Sequence, residues 1–512
     1  MYVFDTDTPL SLEKLSKVAR DHIPVKLSPS VIDRVNLSRV KLEEFVAANR
    51  VIYGVNTSMG GFVNWLVSTE KAENLQMNLI NAVATNVGSY LDFTSVRAIM
   101  LARITSLSRG NSGISLENLD KYIAVYNTGI VPCVPQKGSL GTSGDLGPLA
   151  SIALCCVGQW RVFYRNKEML AAEALRIAGI EPMRLSYKEG LALINGTSGM
   201  VGLATLAVDA TKRLLDLYVD ISALSIETLH GKLKPFDPRV HRLKPHRGQQ
   251  KIAEAIFNIL TQSHMVVDEK LIENELASQL EGEVCASEHH IEDAYSIRCT
   301  PQILGPIYDA LSYISQTVEN ELNSSNDNPL IVPEEKDIFH NGHFHGQYVA
   351  MVMDHLNIAL TTMINISNSR IDRFLDCSHS NGLPPFLCSV DPGLRLGLMG
   401  GQFMTASVTA ETRTLCTPIS IQSLTSTADF QDIVSFGFVA ARRAHEVLEN
   451  TAYVVAFELL CACQAAEIRG VSQLSPITRQ LFQRVRSVVP FLKYDEILTD
   501  YLETLCREVI LL

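Results

Sequence analysis

The chain has 512 residues, 46% of them hydrophobic and 19% charged, and a formal net charge of −11. This composition supports a large buried core, and the lack of any basic run or stripe excludes the electrostatic footprint of a nucleic-acid binder. No apolar run reaches the roughly 18 residues that cross a bilayer, since the best candidate, Ala452 to Ala466, is interrupted by Glu458 and Gln464.

The N-terminus, Met1-Tyr2-Val3-Phe4-Asp5, lacks the basic and apolar regions of a secretion signal. The eleven cysteines are scattered and lack zinc-ligand spacing. They read as buried thiols of a reducing cytosol, so a cytoplasmic protein is expected. Up to about residue 200, Gly and Pro break the chain often. Three long runs with apolar positions at helical spacing follow. The first goes from about Met200 to Thr228 and ends near Gly231. The second goes from about Gln347 to Asp376 and stops before Gly382-Leu383-Pro384-Pro385. The third goes from about Asp432 to Arg469 and stops at Gly470. Helices this long bury continuous apolar faces only against one another. The predicted fold is mainly α, with a long central helix bundle over 200–512. An irregular, loop-rich N-terminal region covers 1–199, and the two form one catalytic unit. No strand–helix alternation, Walker loop or Gly-x-Gly-x-x-Gly fingerprint occurs, which argues against a nucleotide cofactor.

Five segments could carry chemistry. In Ile52-Tyr53-Gly54-Val55-Asn56-Thr57-Ser58-Met59-Gly60-Gly61, a Tyr precedes a Gly-rich loop. It sits either on a mobile lid or packed at a turn. Gly138-Ser139-Leu140-Gly141-Thr142-Ser143-Gly144-Asp145-Leu146-Gly147 has no helix or strand period. Gly permits backbone approaches that a Cβ blocks. At Thr142-Ser143-Gly144 the Gly144 amide nitrogen can therefore attack the Thr142 carbonyl. Loss of two waters would leave 4-methylideneimidazol-5-one (MIO), an electrophile made from the chain itself. The competing reading is a Gly-rich surface turn. In Asn195-Gly196-Thr197-Ser198-Gly199, Thr197 or Ser198 can cap the next helix, and Asn195 is the side chain to face a ligand. In Ile291-Glu292-Asp293-Ala294-Tyr295-Ser296-Ile297-Arg298, helical spacing puts Tyr295 and Arg298 on one face, with Glu292 three residues before Tyr295. Arg298 either holds a ligand carboxylate or makes a structural ion pair. The last segment is Glu321 to Pro329 followed by His340-Asn341-Gly342-His343-Phe344-His345-Gly346-Gln347. Its histidines lack a fourth ligand at a known spacing, so no metal is expected.

Taken in order, these segments resemble the aromatic amino acid lyase and aminomutase family: histidine, phenylalanine and tyrosine ammonia-lyases and their 2,3-aminomutase relatives. The resemblance runs from about Leu10 to the C-terminus. It is carried by Gly-Ser-Leu-Gly-Thr-Ser-Gly-Asp-Leu, Gly-Leu-Ala-Leu-Ile-Asn-Gly-Thr-Ser, Tyr-Ser-Ile-Arg-Cys-x-Pro-Gln and Asn-Ser-Ser-Asn-Asp-Asn-Pro. It implies that Thr142, Ser143 and Gly144 form MIO, with Thr where Ala is usual. The same Thr-Ser-Gly occurs in a bacterial branch that contains phenylalanine ammonia-lyases and phenylalanine 2,3-aminomutases. The resemblance further implies that Tyr53 is the general base on a lid loop that includes Gly60. Asn195 and Tyr295 would be the polar groups around the prosthetic group and the substrate amine. Arg298, helped by Asn326, would clamp the carboxylate, and Phe344 would wall the pocket. A homotetramer with shared active sites is implied as well.

Three positions bear on the substrate. Histidine lyases carry Ser-His where Ala82-Val83 stands, and tyrosine lyases put a His nearby. Val83 offers no hydrogen bond, which would leave an imidazole or phenol unpaired at a cost of about 1–3 kcal/mol. Gln431 stands where histidine lyases carry Glu, and Glu292 departs from their usual Gln. All three point away from histidine, and Val83 points to an unsubstituted phenyl ring. The expected reaction is non-oxidative deamination of L-phenylalanine to trans-cinnamate and ammonia, with Tyr53 removing a β-proton at a lowered pKa. The alternative is a phenylalanine 2,3-aminomutase, which retains cinnamate and returns ammonia to the β-carbon. A catalytically silent binding or scaffold protein is a more distant alternative, and a Ser hydrolase lacks its Gly-x-Ser-x-Gly. The branch resembled often supplies cinnamate or β-phenylalanine to natural-product assembly, so phenylalanine catabolism or antibiotic biosynthesis is the expected context.

Overall fold

The computed structural model describes residues 1–5, 8–279 and 290–511. Among the described residues the fold is mainly α, with little strand, as the sequence predicts. The three long runs are the helices Ser198–Thr228, Gln347–Leu375 and Gly437–Arg469. Thr300–Leu322 is a fourth long helix, with Pro306 inside it. The third run starts at Gly437 rather than near Asp432. Phe436 has φ +54°, outside the right-handed helical region, and its N–H donates to the Leu140 carbonyl at 3.2 Å. That helix stops at Gly470, whose φ is +109°. Its last residue, Arg469, donates from Nε to the Thr228 carbonyl at 2.7 Å. This satisfies one of the carbonyls orphaned at the end of Ser198–Thr228.

The chain forms two compact units. One comprises Met1–Asp209, Ile314–His355 and Pro418–His445; the other comprises Ala210–Tyr313, Leu356–Thr417 and Glu446–Leu512. Each of the four long helices gives one part to each unit. The units therefore interleave along the chain, and their limits differ from the change of texture at residue 200.

The first unit is built around the helix Phe93–Ser108, in which every residue from Ser95 to Ser108 is buried. The Asp92 carboxylate starts this helix by accepting the Ser95 N–H at 2.9 Å. Its buried Arg97 donates to the carbonyls of Ala19 and Tyr126, at 3.1 and 3.2 Å, and stacks on the Tyr126 ring. The antiparallel pair Arg161–Tyr164 and Lys167–Leu170 turns through Arg165 and Asn166. Both have positive φ, as a two-residue hairpin turn requires. Lys188, at the start of the short helix Glu189–Ile194, pairs with Asp327 at 2.6 Å, and both side chains are fully buried.

In the second unit Arg370 and Glu458 make another fully buried pair, at 3.0 Å. Two helices, Gln347–Leu375 and Gly437–Arg469, do reach membrane-spanning length and apolarity, which corrects the sequence expectation. Their most apolar windows are 72% and 83% buried inside the protein, as core helices are.

Asp327→Ala leaves the Lys188 ammonium buried without its partner, a cost of about 3–5 kcal/mol. The expected outcome is a lower denaturant midpoint, and the paired apolar variant Lys188→Met with Asp327→Leu should recover most of the loss.

Candidate active site

The centre of the first unit is a backbone contact between two glycines. The segment Gly141–Gly144 closes on itself through an antiparallel bridge, and Gly144 also bridges to Gly196. The Gly196 N–H donates to the Ser143 carbonyl at 3.0 Å, and the Asp145 N–H donates to the Gly196 carbonyl at 2.9 Å. Gly144 has φ +77° and Gly196 φ +127°. A Cβ on Gly144 would overlap the Gly196 carbonyl oxygen, and one on Gly196 would overlap Asn326 Oδ1. Ser143, which does carry a side chain, is held at φ +50°, a region sparsely populated by residues other than Gly. Against the other side of the loop, a Cβ on Gly141 would meet Ser435 Oγ at 2.6 Å.

Asp145 follows the turn and is fully buried. Its Oδ2 accepts the Met200 N–H at 2.6 Å, in the first turn of Ser198–Thr228, and Oδ1 accepts Ser139 Oγ at 3.2 Å. Burial pushes its pKa up to about 7 against these hydrogen bonds. Burial also raises Glu321, whose Oε1 accepts Thr197 Oγ1 at 2.6 Å. The helix Leu146–Cys156 begins directly after Asp145, and Ser198–Thr228 begins just after Gly196. Two helix N-termini, with their partial positive charge, thus flank the loop.

Tyr53 is fixed at both ends. Its backbone N–H donates to His340 Nε2 at 3.0 Å, and its phenol oxygen accepts the Gly60 N–H at 2.9 Å. The loop after it is tied down where Gln76 Nε2 donates to the Gly54 carbonyl at 2.9 Å. Burial raises the Tyr53 pKa, outweighing the Gly60 N–H that favours the phenolate. This overturns the expectation of a lowered pKa. The sequence marks a Gly-rich loop but not how deeply the loop buries the phenol.

A cavity of about 370 Å³ is lined by Tyr53, Ser143 and Phe344 together with Val63, His340 and Phe430. Three predicted residues therefore share one cavity. Asn195 is buried, and its Oδ1 finds no hydrogen-bond partner among the described residues. Asn326 is buried beside Gly196, with Oδ1 accepting from Arg103 Nη1 at 3.3 Å and Ser106 Oγ at 3.1 Å. Thr142 is half-buried in the turn. Val83 ends the helix Ala72–Val83 and is half-buried. Gln431 is held by Thr427 Oγ1; its neighbour Phe430 is the residue that lines the cavity.

Glu292, Tyr295 and Arg298 belong to the second unit, where they line a cavity of about 790 Å³ with Lys232, Cys299 and Gln302. The helix there is a single turn, Tyr295–Arg298, so Glu292 lies before it and not on it. Arg298 Nη1 rests on Glu292 Oε2 at 2.5 Å, and its guanidinium lies over the Tyr295 ring. His340, Val63 and Phe430 were missed as cavity residues. The contact between Tyr53 and His340 joins segments far apart in sequence, and no spacing reports it.

The family model for aromatic amino acid lyases matches residues 10–487. The chain belongs to the aromatic amino acid lyase family. That family is MIO-dependent and contains ammonia-lyases and aminomutases. In structure the chain is similar to phenylalanine aminomutase of Pantoea agglomerans. The two are 60% identical with a TM-score of 0.98, over 100% of this chain and 99% of the other. It is 39% identical to histidine ammonia-lyase of Geobacillus thermodenitrificans, over 97% of this chain and 95% of the relative. It is also 39% identical to tyrosine ammonia-lyase of Cupriavidus metallidurans, over 97% and 94%.

For a lyase-family chain the glycine contact is directly testable. If Thr142, Ser143 and Gly144 form MIO, Gly144→Ala should prevent the turn from closing against Gly196, so that the purified full-length variant keeps an intact mass two waters above that of the unsubstituted protein, after allowing for the substitution. A variant that loses both waters would refute the steric argument.

Proposed function

We propose that the chain eliminates ammonia from L-phenylalanine, with MIO formed from Thr142, Ser143 and Gly144. The fit of that group rests on the turn. The bridge at Gly144, the left-handed Ser143 and the lack of room for any Cβ at Gly144 compress the backbone where ring closure needs it. When formed, the group supplies an electrophile that turns the substrate amine into a better leaving group. Asn195 Oδ1, buried and unpartnered among the described residues, is the acceptor offered to a polar group there.

Tyr53 removes the β-proton at its phenol oxygen. Because burial holds its proton on in the free protein, the base form grows only as pH rises into the alkaline range. The Gly60 N–H at 2.9 Å stabilises the phenolate once it forms. The apolar rings of Phe344 and Phe430 exclude water and pack the substrate ring. The working form is a homotetramer with active sites shared between copies. There Arg298, with Asn326, meets the substrate carboxylate, and Tyr295 and Glu292 meet the amine side. The ten described cysteines are all unpaired, in keeping with a cytoplasmic setting.

Phenylalanine is chosen over histidine or tyrosine because Val83 offers an imidazole or phenol no hydrogen bond. The fate of cinnamate separates two readings. Release makes the chain a phenylalanine ammonia-lyase; retention with return of ammonia to the β-carbon makes it a phenylalanine 2,3-aminomutase. The 60% identity to phenylalanine aminomutase along the whole chain favours the second reading.

Incubation with L-phenylalanine decides between them, with cinnamate and β-phenylalanine followed in the same samples. Early β-phenylalanine exceeding cinnamate means the mutase, and cinnamate as the main product throughout means the lyase. If neither forms while histidine or tyrosine is consumed, the substrate assignment fails. For Tyr53, kcat/KM should climb with pH through the alkaline range, and Tyr53→Phe should lower it by about 100- to 10,000-fold. A Tyr53→Phe variant with full turnover removes Tyr53 as the base.

A further inference from the structure

Arg370 and Glu458 take no part in this chemistry, yet both side chains are fully buried in the second unit. Apolar residues of similar size commonly serve stability as well as such a pair does, so its contacts are informative. The Glu458 carboxylate accepts Arg370 Nη1 at 3.0 Å, Ser225 Oγ at 2.8 Å, Tyr218 Oη at 2.9 Å and Ser367 Oγ at 2.6 Å. Four donors fix its plane, and with it the plane of the guanidinium. Arg370 then donates from Nη1 to Ser222 Oγ at 2.8 Å, from Nε to the Ser296 carbonyl at 2.8 Å, and from Nη2 to Thr300 Oγ1 at 2.7 Å. Thr300 Oγ1 passes the connection on, donating to the Ile297 carbonyl at 2.7 Å.

Ser296 and Ile297 are the two middle residues of the turn Tyr295–Arg298, and both are buried. The end residues face the other way: Tyr295 is 70% exposed, and Arg298 lines the cavity beside it. The turn's own hydrogen bonds are few. The Ile297 and Arg298 N–H groups share the Ala294 carbonyl, and the Cys299 N–H reaches the Tyr295 carbonyl. Only Cys299 separates this turn from the helix Thr300–Leu322, so Thr300 joins the relay to the start of that helix. A second anchor sits just upstream, where buried Lys232 donates from Nζ to the His290 carbonyl at 2.7 Å and to Asp293 at 3.3 Å.

We propose that Arg370, oriented by Glu458, is a positioning residue for the proposed reaction: its guanidinium and Thr300 pin the turn that presents Tyr295 and Arg298. This rests on the reading that those two side chains meet the substrate.

The test uses the full-length protein with Arg370→Lys, Thr300→Val and Thr300→Ser. A Lys cannot supply the planar fork. Thr300→Val removes the relay hydroxyl while leaving the buried pair intact, and Thr300→Ser keeps the hydroxyl. Hydrogen exchange by mass spectrometry over 294–300 reads the turn directly and needs no substrate. Arg370→Lys and Thr300→Val should speed exchange there and not across the rest of the second unit. KM for the amino acid should rise by roughly 10- to 100-fold with a smaller change in kcat, and Thr300→Ser should behave like the unsubstituted protein. Unchanged exchange and kinetics in folded Thr300→Val and Arg370→Lys would overturn the proposal. So would faster exchange with unchanged kinetics, or faster exchange throughout the unit. If the unsubstituted protein turns over no aromatic amino acid, the functional reading falls, and the exchange comparison still decides whether the pair pins the turn.

Discussion

Two peptide backbones meet at Gly144 and Gly196 with no space for a side chain between them, and the first unit is organised around that contact. Behind Gly196, Asn326 is held by Arg103 and Ser106 from the helix Phe93–Ser108, buried from Ser95 onward. Behind Gly141, Ser435 and Phe436 press from a third stretch of chain. Such an arrangement needs glycine at the points of approach and a rigid surround, since a loop under strain relaxes unless its neighbours over-determine it. The buried helix, the Lys188–Asp327 pair and the delayed start of Gly437–Arg469 supply that surround.

Burial disfavours the charged forms of the ionisable groups at the same centre. Burial raises Asp145 to about 7 and also raises Glu321 and Tyr53. Two helix N-termini add fixed positive dipoles there, and the buried Arg103 guanidinium lies against Gly196. Preorganised dipoles of this kind cost little to reorient as charge develops. The carboxylate at Asp145 is one acceptor for those orphan N–H groups, which ties the electrostatics of the loop to the start of the longest helix leaving it.

Much of the fold was legible because its signal is local and repeated. Apolar positions at helical spacing mark Ser198–Thr228, Gln347–Leu375 and Gly437–Arg469 to within a few residues. The late start at Gly437 arises because Phe436 is claimed by a contact with Leu140 that no local pattern encodes, and the sequence reading missed Thr300–Leu322, which carries Pro306 inside it. The glycines of 138–147 announced a close backbone approach, but not that Gly196 would be the partner. The site was less legible wherever burial or a distant partner decides. The direction of the Tyr53 shift depends on how deeply the phenol sits, and its tether to His340 spans most of the first unit's sequence. The Glu292–Arg298 pair was one of two stated alternatives for Arg298, and the structure shows that pair, through Nη1, in place.

The residues packed against Gly141, Gly144 and Gly196 come from four separated stretches of the chain, near positions 103, 196, 326 and 435. A nascent or partly folded chain has none of them assembled. In the proposed chemistry the reactive group therefore cannot arise before the first unit has packed, and once made it is not unmade. Under that proposal the group would be a covalent mark that a molecule had folded at least once, and the fraction of marked chains would report past folding separately from the stability of the folded molecules.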